Sequence, residues 1–165
     1  MKKIHEVTND IYEDIARNEL AETGILLPRV IMLDNDLELK AQIPIVDDSP
    51  VEYQQSLDYI KTAYEKVEPY LMVVINDYQD EAKQVPQDGE KPGSIHIHGK
   101  LCIHVATDYG ESYTWTTDYV LDDGELIIFY ERCERGHECE ILEHLRTCEI
   151  SSISCNNAQP AASVA

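Results

Sequence analysis

The amino-acid sequence predicts a single α+β domain: a sheet of about six strands, two main helices packed on one face, and a short C-terminal helix. Three observations lead there. Residues 50–67 place apolar side chains every three or four positions behind a capping sequence, the pattern of one amphipathic helix. Residues 94–107 alternate apolar and polar, the two-residue period of a strand. Residues 113–121 and 125–132 form two more such runs, joined by the hairpin signal Asp122-Asp123-Gly124. Strands gather on both sides of one central helix, which suits α+β rather than repeating βαβ units.

Taken in chain order, the first element reads as a helix capped at Thr8-Asn9. Asp10, Glu13 and Asp14 lie in its first turn, and Gly24 is its stop. Arg29 to Leu33 is a short apolar strand. Asp34-Asn35-Asp36 turns the chain into a second strand, where Leu37, Leu39, Ala41 and Ile43 alternate with polar residues. Ser49-Pro50-Val51-Glu52 is a capping box with proline at the first helical position. Tyr53, Leu57, Ile60, Tyr64 and Val67 make the stripe behind it, and Pro69 ends the helix. Tyr70 to Ile75 is almost wholly apolar, as in a strand buried on both faces. Residues 76–93 read as a long polar loop. A short helix is expected after Gly136, and residues 151–165 as a loose tail beyond a domain of residues 1–150.

This layout resembles a loose group of short, uncharacterised bacterial and phage proteins. The resemblance rests on Glu19-Leu20-Ala21-Glu22-Thr23-Gly24-Ile25-Leu26-Leu27-Pro28 leading into a hairpin, then a helix, the strand Leu71-Met72-Val73-Val74-Ile75, and the meander from Lys100 to Gly124. It covers residues 11–130 through architecture more than motif. The aromatic-rich acidic segment usual after that strand is here only Asn76-Asp77-Tyr78. The group has no assigned activity, so the resemblance implies a fold and no function.

Charge narrows the functional classes. Asp and Glu number 32 against 13 Lys and Arg, a formal net charge of −19 on 165 residues. Such a chain repels nucleic acid and anionic membranes and favours cations or basic proteins. No run of about 18 apolar residues is present, which argues against a membrane-spanning helix. Met1-Lys2-Lys3-Ile4-His5-Glu6 lacks the apolar core of a secretory signal, so the five cysteines are expected as reduced thiols or metal ligands rather than a disulfide frame, in the cytoplasm. There is no G-x-S-x-G elbow and no glycine-rich phosphate loop. The Asp34-Asn35-Asp36 run lacks the glycine and the final acid of a calcium loop.

Three constellations remain. His96 and His98 are two apart, a spacing that suits a divalent metal, and a bulge at Gly99 would let Cys102 or His104 join them. The same residues are also the polar face of an antiparallel sheet, and a strand regular through Gly99 spreads them over about 27 Å. Cys133, His137, His144 and Cys148, with Cys139 nearby, supply enough ligands for a tetrahedral zinc. The spacing differs from a zinc knuckle, and the alternative is an amphipathic helix with a buried cysteine. Ten tyrosines are the last unusual feature. Tyr109, Tyr113 and Trp115, with Asp108, Glu111 and Asp118, would form an acidic-aromatic patch if their strand face is open, and core if it is not. The reading that follows is a non-catalytic acidic module that binds a protein with a basic surface, one form being an inhibitor that mimics nucleic-acid charge. A zinc-dependent enzyme or zinc-stabilised domain is the alternative.

Overall fold

Two strands set the architecture because neither has a polar face. In β1 (Arg29–Leu33) every residue is buried, and in β3 (Leu71–Gln79) the first five are. Successive side chains on a strand point to opposite sides, so both sides of this pair need an apolar cover. The computed structural model, which describes residues 4–79, 96–123, 125–136 and 139–145, provides that cover with helices on both faces.

The sheet has six strands in the order β2-β1-β3-β4-β5-β6, with every neighbouring pair antiparallel. The remaining strands are β2 (Leu39–Pro44), β4 (His96–Thr107), β5 (Ser112–Asp122) and β6 (Glu125–Arg135). On the first face, Ile31, Val73, Ile75, Leu101 and Ile103 pack beneath the N-terminal arm. That arm is α1 (Ile4–Ile11), a π-helical turn (Tyr12–Arg17) and α2 (Asn18–Thr23), which contribute Val7, Ile11, Tyr12 and Leu20. On the second face, Val30, Met32, Met72 and Val74 meet Ile60 of α3 (Pro50–Val67). Ile141, Leu142 and Leu145 of α4 (residues 140–145) join them.

The α+β class, the six strands and the short C-terminal helix agree with the sequence reading, while packing of both main helices on one face does not. The apolar runs of β1 and β3 explain the correction: one covered face would leave the other side of both strands in water. The start of the N-terminal helix also differs. Thr8 is fully buried inside α1 and caps nothing; its hydroxyl donates to Ile4 O at 2.9 Å and accepts from the Tyr113 phenol at 2.7 Å. The capping box at α3 is as expected, with Ser49 Oγ accepting from Glu52 N at 3.2 Å. Asp34 Oδ1 accepts from the amides of Asp36 and Glu38, which closes the β1–β2 turn.

The N-terminal arm is fastened at several points along the first face. Tyr12 donates to Glu131 Oε1 at 2.7 Å and stacks on Trp115 with ring centroids 5.6 Å apart. Arg29 and Glu19 form an ion pair between β1 and α2. Farther along, Gly99 is opposite Tyr119, whose ring lies across it. A Cβ at Gly99 would come within 2.2 Å of Tyr119 Cζ. Pairing is regular there, Gly99 opposing both Gln79 and Tyr119, so the bulge that would gather the β4 histidines is not formed.

The Gly99–Tyr119 contact gives a direct test. Gly99→Ala should destabilise by about 1–3 kcal/mol, the usual range for overpacking. Denaturant unfolding measures it, and a loss below about 0.5 kcal/mol would show that the ring yields freely.

Candidate functional site

The acidic-aromatic patch expected on β5 is divided by the fold. Asp108, Tyr109 and Glu111 are together and exposed at the β4–β5 turn, where the Tyr109 phenol donates to Glu111 Oε2 at 2.8 Å. Tyr70 joins them, its ring 5.8 Å from that of Tyr109. Tyr113 and Trp115 share a face, as their spacing requires, but the N-terminal arm covers it. Tyr113 is 6 % exposed beneath α1, and Trp115 is against Tyr12. Asp118 pairs with Lys100 and Tyr130 on the opposite face. The apolar first face needs a lid, and the N-terminal arm supplies it with Val7, Ile11, Tyr12 and Leu20.

The metal candidates fare differently. His98 is exposed on the polar face of β4, and the side chain of His96 lies outside the described residues. Cys133 opposes Trp115 and therefore shares the first face, whereas His144 belongs to α4 on the second. The sheet stands between these two; His137 and Cys148 lie outside the described residues. Among the described residues, no three His, Cys, Asp or Glu side chains come close enough to hold an ion. Burial pushes the thiols of Cys102, Cys133 and Cys139 up, the opposite of an activated thiolate.

A site that the sequence reading missed is on the second face, at the end of the sheet where α3 begins. A cavity of ≈ 860 Å³ opens between the segment leading into α3, the outer half of β3 and the start of α4. Its apolar base includes Ile45, Cys139 and Ile141, and the phenols of Tyr53 and Tyr78 contribute to its lining. Asp47, Asp48 and Glu140 add carboxylates, all three on exposed residues. The Tyr53 phenol donates to Glu140 Oε2 at 3.4 Å, and burial followed by the Glu140 charge raises its pKa. In the sequence Asp47-Asp48 is only an acidic pair just ahead of the α3 cap Ser49. The signal that these acids also line a cavity depends on α4 returning from the far end of the chain.

The arrangement suits a cation carried on an apolar stem. Carboxylates accept charge-assisted hydrogen bonds from a guanidinium or ammonium group, phenol rings attract the cation by their faces, and the apolar base covers the methylenes. Comparison with protein-family models, curated proteins and solved structures finds no match for the chain. No helix among the described residues is long and apolar enough to cross a membrane.

Asp77, also in the cavity lining, belongs to a second network that ties β3 to the arm. Its Oδ1 accepts from the Tyr119 phenol at 2.6 Å, while Gln79 Nε2 donates to Tyr119 Oη and to Gly24 O. Burial pushes the Asp77 carboxyl up, and the bonds from Tyr119 and Gln79 pull it partly back. A value raised in the folded state means that the native protein holds this proton more tightly than the unfolded chain. The stability contributed by Asp77 is therefore full below about pH 4 and is lost as pH rises through the raised value. Asp77→Asn keeps an acceptor for Tyr119 and removes the buried charge. The variant should match or exceed the parent at pH 7, with the difference closing towards pH 4. Unfolding across that range measures it; a variant weaker by more than about 1 kcal/mol at pH 7 would contradict the assignment.

Proposed function

We propose that this chain is a non-catalytic binding module for a protein with a basic surface, anchored by an arginine or lysine side chain in the acidic cavity at the start of α3. The observation that carries this reading is the cavity: Asp47, Asp48 and Glu140 beside the phenols of Tyr53 and Tyr78, over an apolar base. Net charge of −19 adds long-range attraction, which speeds encounter with a basic partner and discourages acidic ones. One finer form is an inhibitor that occupies a nucleic-acid-binding surface by mimicking phosphate charge. Asp108 and Glu111 at the far end of the sheet, beside Tyr70 and Tyr109, would then extend the contact.

Calorimetric titration with an arginine-rich peptide tests the proposal. Binding should weaken steeply as salt rises, because exposed charges are screened beyond a Debye length of about 10 Å at 0.1 M. The combined variant Asp48→Asn/Glu140→Gln should bind about tenfold more weakly, as expected for loss of charge-assisted bonds. Neutralising Glu22 and Glu65, two exposed acids outside the cavity, should matter much less. Equal losses from both pairs would reduce the effect to bulk charge and remove the cavity from the account.

A further inference from the structure

On one side the sheet ends in a strand with an open edge. β6 pairs with β5, and among the described residues no backbone hydrogen bond is made along its outer edge. Such an edge is a template for another strand unless its side chains forbid it. The regular part of β6 is short. A bulge between Asp118 and Tyr119 leaves Phe129 without an opposite residue on β5, and Gly136, at φ +85°, turns the chain out of the strand. Between these limits, Glu131 to Arg135 are all exposed. One bond shows which backbone groups face outward. Gly136 N donates to Ser112 O at 2.8 Å, so Ser112 and Gly136 are a hydrogen-bonded pair. Alternation along the ladder makes Thr114–Glu134 and Thr116–Arg132 pairs of the same kind. The N–H and C=O groups of Glu131, Cys133 and Arg135 therefore point away from β5.

We propose that β6 pairs antiparallel with β6 of a second copy of this chain, about a two-fold axis at Cys133. The charges choose both the partner and the register. Glu131-Arg132-Cys133-Glu134-Arg135 is its own complement when read backwards. Centred on Cys133, the pairing sets Glu131 against Arg135 of the second copy, and Arg132 against its Glu134. Symmetry makes each contact occur twice. A centre at Glu131, Arg132, Glu134 or Arg135 would set that charged residue against its own copy. A centre between residues would oppose an outward-facing backbone to an inward-facing one. Of these registers, the one at Cys133 alone matches every charge and every outward backbone group.

The two faces of the strand agree with this register. Glu131, Cys133 and Arg135 share the first face with Thr117, Trp115 and Tyr113, while Arg132 and Glu134 share the second. Opposed residues on antiparallel strands lie on one face, so each matched pair meets there. Glu131 already accepts from the Tyr12 phenol through Oε1, and Oε2 is the oxygen offered to Arg135. Within one copy Arg132 and Glu134 are 3.8 Å apart, so the second copy extends that pair into a row of alternating charge. Exposed ion pairs contribute little by themselves. The backbone bonds carry the association, two from each pair of outward residues, and the charges fix where it forms. No residue of β6 lines the acidic cavity at the start of α3, so the paired form presents two such cavities.

Sedimentation velocity of the full chain, kept reduced at about 0.15 M salt, tests this. The Debye length there is about 8 Å, which screens the repulsion between two chains of −19 more than contacts at ion-pair distance. Monomer should give way to dimer as concentration rises towards about 1 mM, the weak end of specific association. Arg132→Glu and Glu134→Arg should each weaken dimerisation about tenfold, because two attractive contacts become repulsive. Arg132→Glu/Glu134→Arg should restore it, and an equimolar mixture of the two single variants should form heterodimers. Circular dichroism checks that each variant is folded. A chain monomeric throughout overturns the proposal. So do dimers indifferent to the single reversals, or single-variant losses that the double variant leaves unrepaired. Oxidation by copper–phenanthroline gives a second readout: opposed Cα atoms about 5.5 Å apart are within disulfide reach, so Cys133 should cross-link the pair. A cross-linked yield unchanged in Cys133→Ser contradicts the register.

Discussion

The constraint on which this structure depends is the absence of a polar face in β1 and in the first five residues of β3. Val30, Met32, Met72 and Val74 face one way, and Ile31, Leu33, Val73 and Ile75 the other; all are buried. Each is worth about 1.5–3 kcal/mol once removed from water, so leaving either side uncovered would forfeit a large part of the net stability of a domain this size. The N-terminal arm must therefore cross one face and α3 the other. This requirement accounts for the burial of Tyr113 and the partial burial of Trp115, which would otherwise have formed an open aromatic surface.

Two concavities follow from how incomplete the second cover is. α3 and α4 lie over β1 and β3, leaving one concavity at the start of α3 and another over β4, β5 and β6. Tyr78 lines both. The first presents carboxylates beside phenols, and the second mixes both signs, Lys100 and Arg132 with Glu134.

The local elements were legible in the sequence because their signals are local. Ser49 to Glu52 announced α3, the alternation through Leu101, Ile103 and Val105 announced β4, and Asp34 to Asp36 announced a turn that the Asp34 carboxylate closes. What was not legible depends on which parts of the chain meet. Thr8 looks like a cap until Tyr113 is brought to it, and Asp48 looks like a helix-start acid until Glu140 is placed beside the same cavity. The two-faced burial of β3 is readable in its apolar run, but the run does not say which helix covers which face. Cys133 and His144 are close in sequence, but one lies on a strand and the other on a helix across the sheet.

Hydrogen exchange of the full chain with and without a saturating arginine-rich peptide tests the central claim most directly. The account expects new protection in residues 45–53, 76–78 and 139–141, which surround the acidic cavity, with little change along β6. Protection confined to the β4–β5 turn, or spread evenly over exposed acidic segments, would contradict it and place the basic partner elsewhere on the surface.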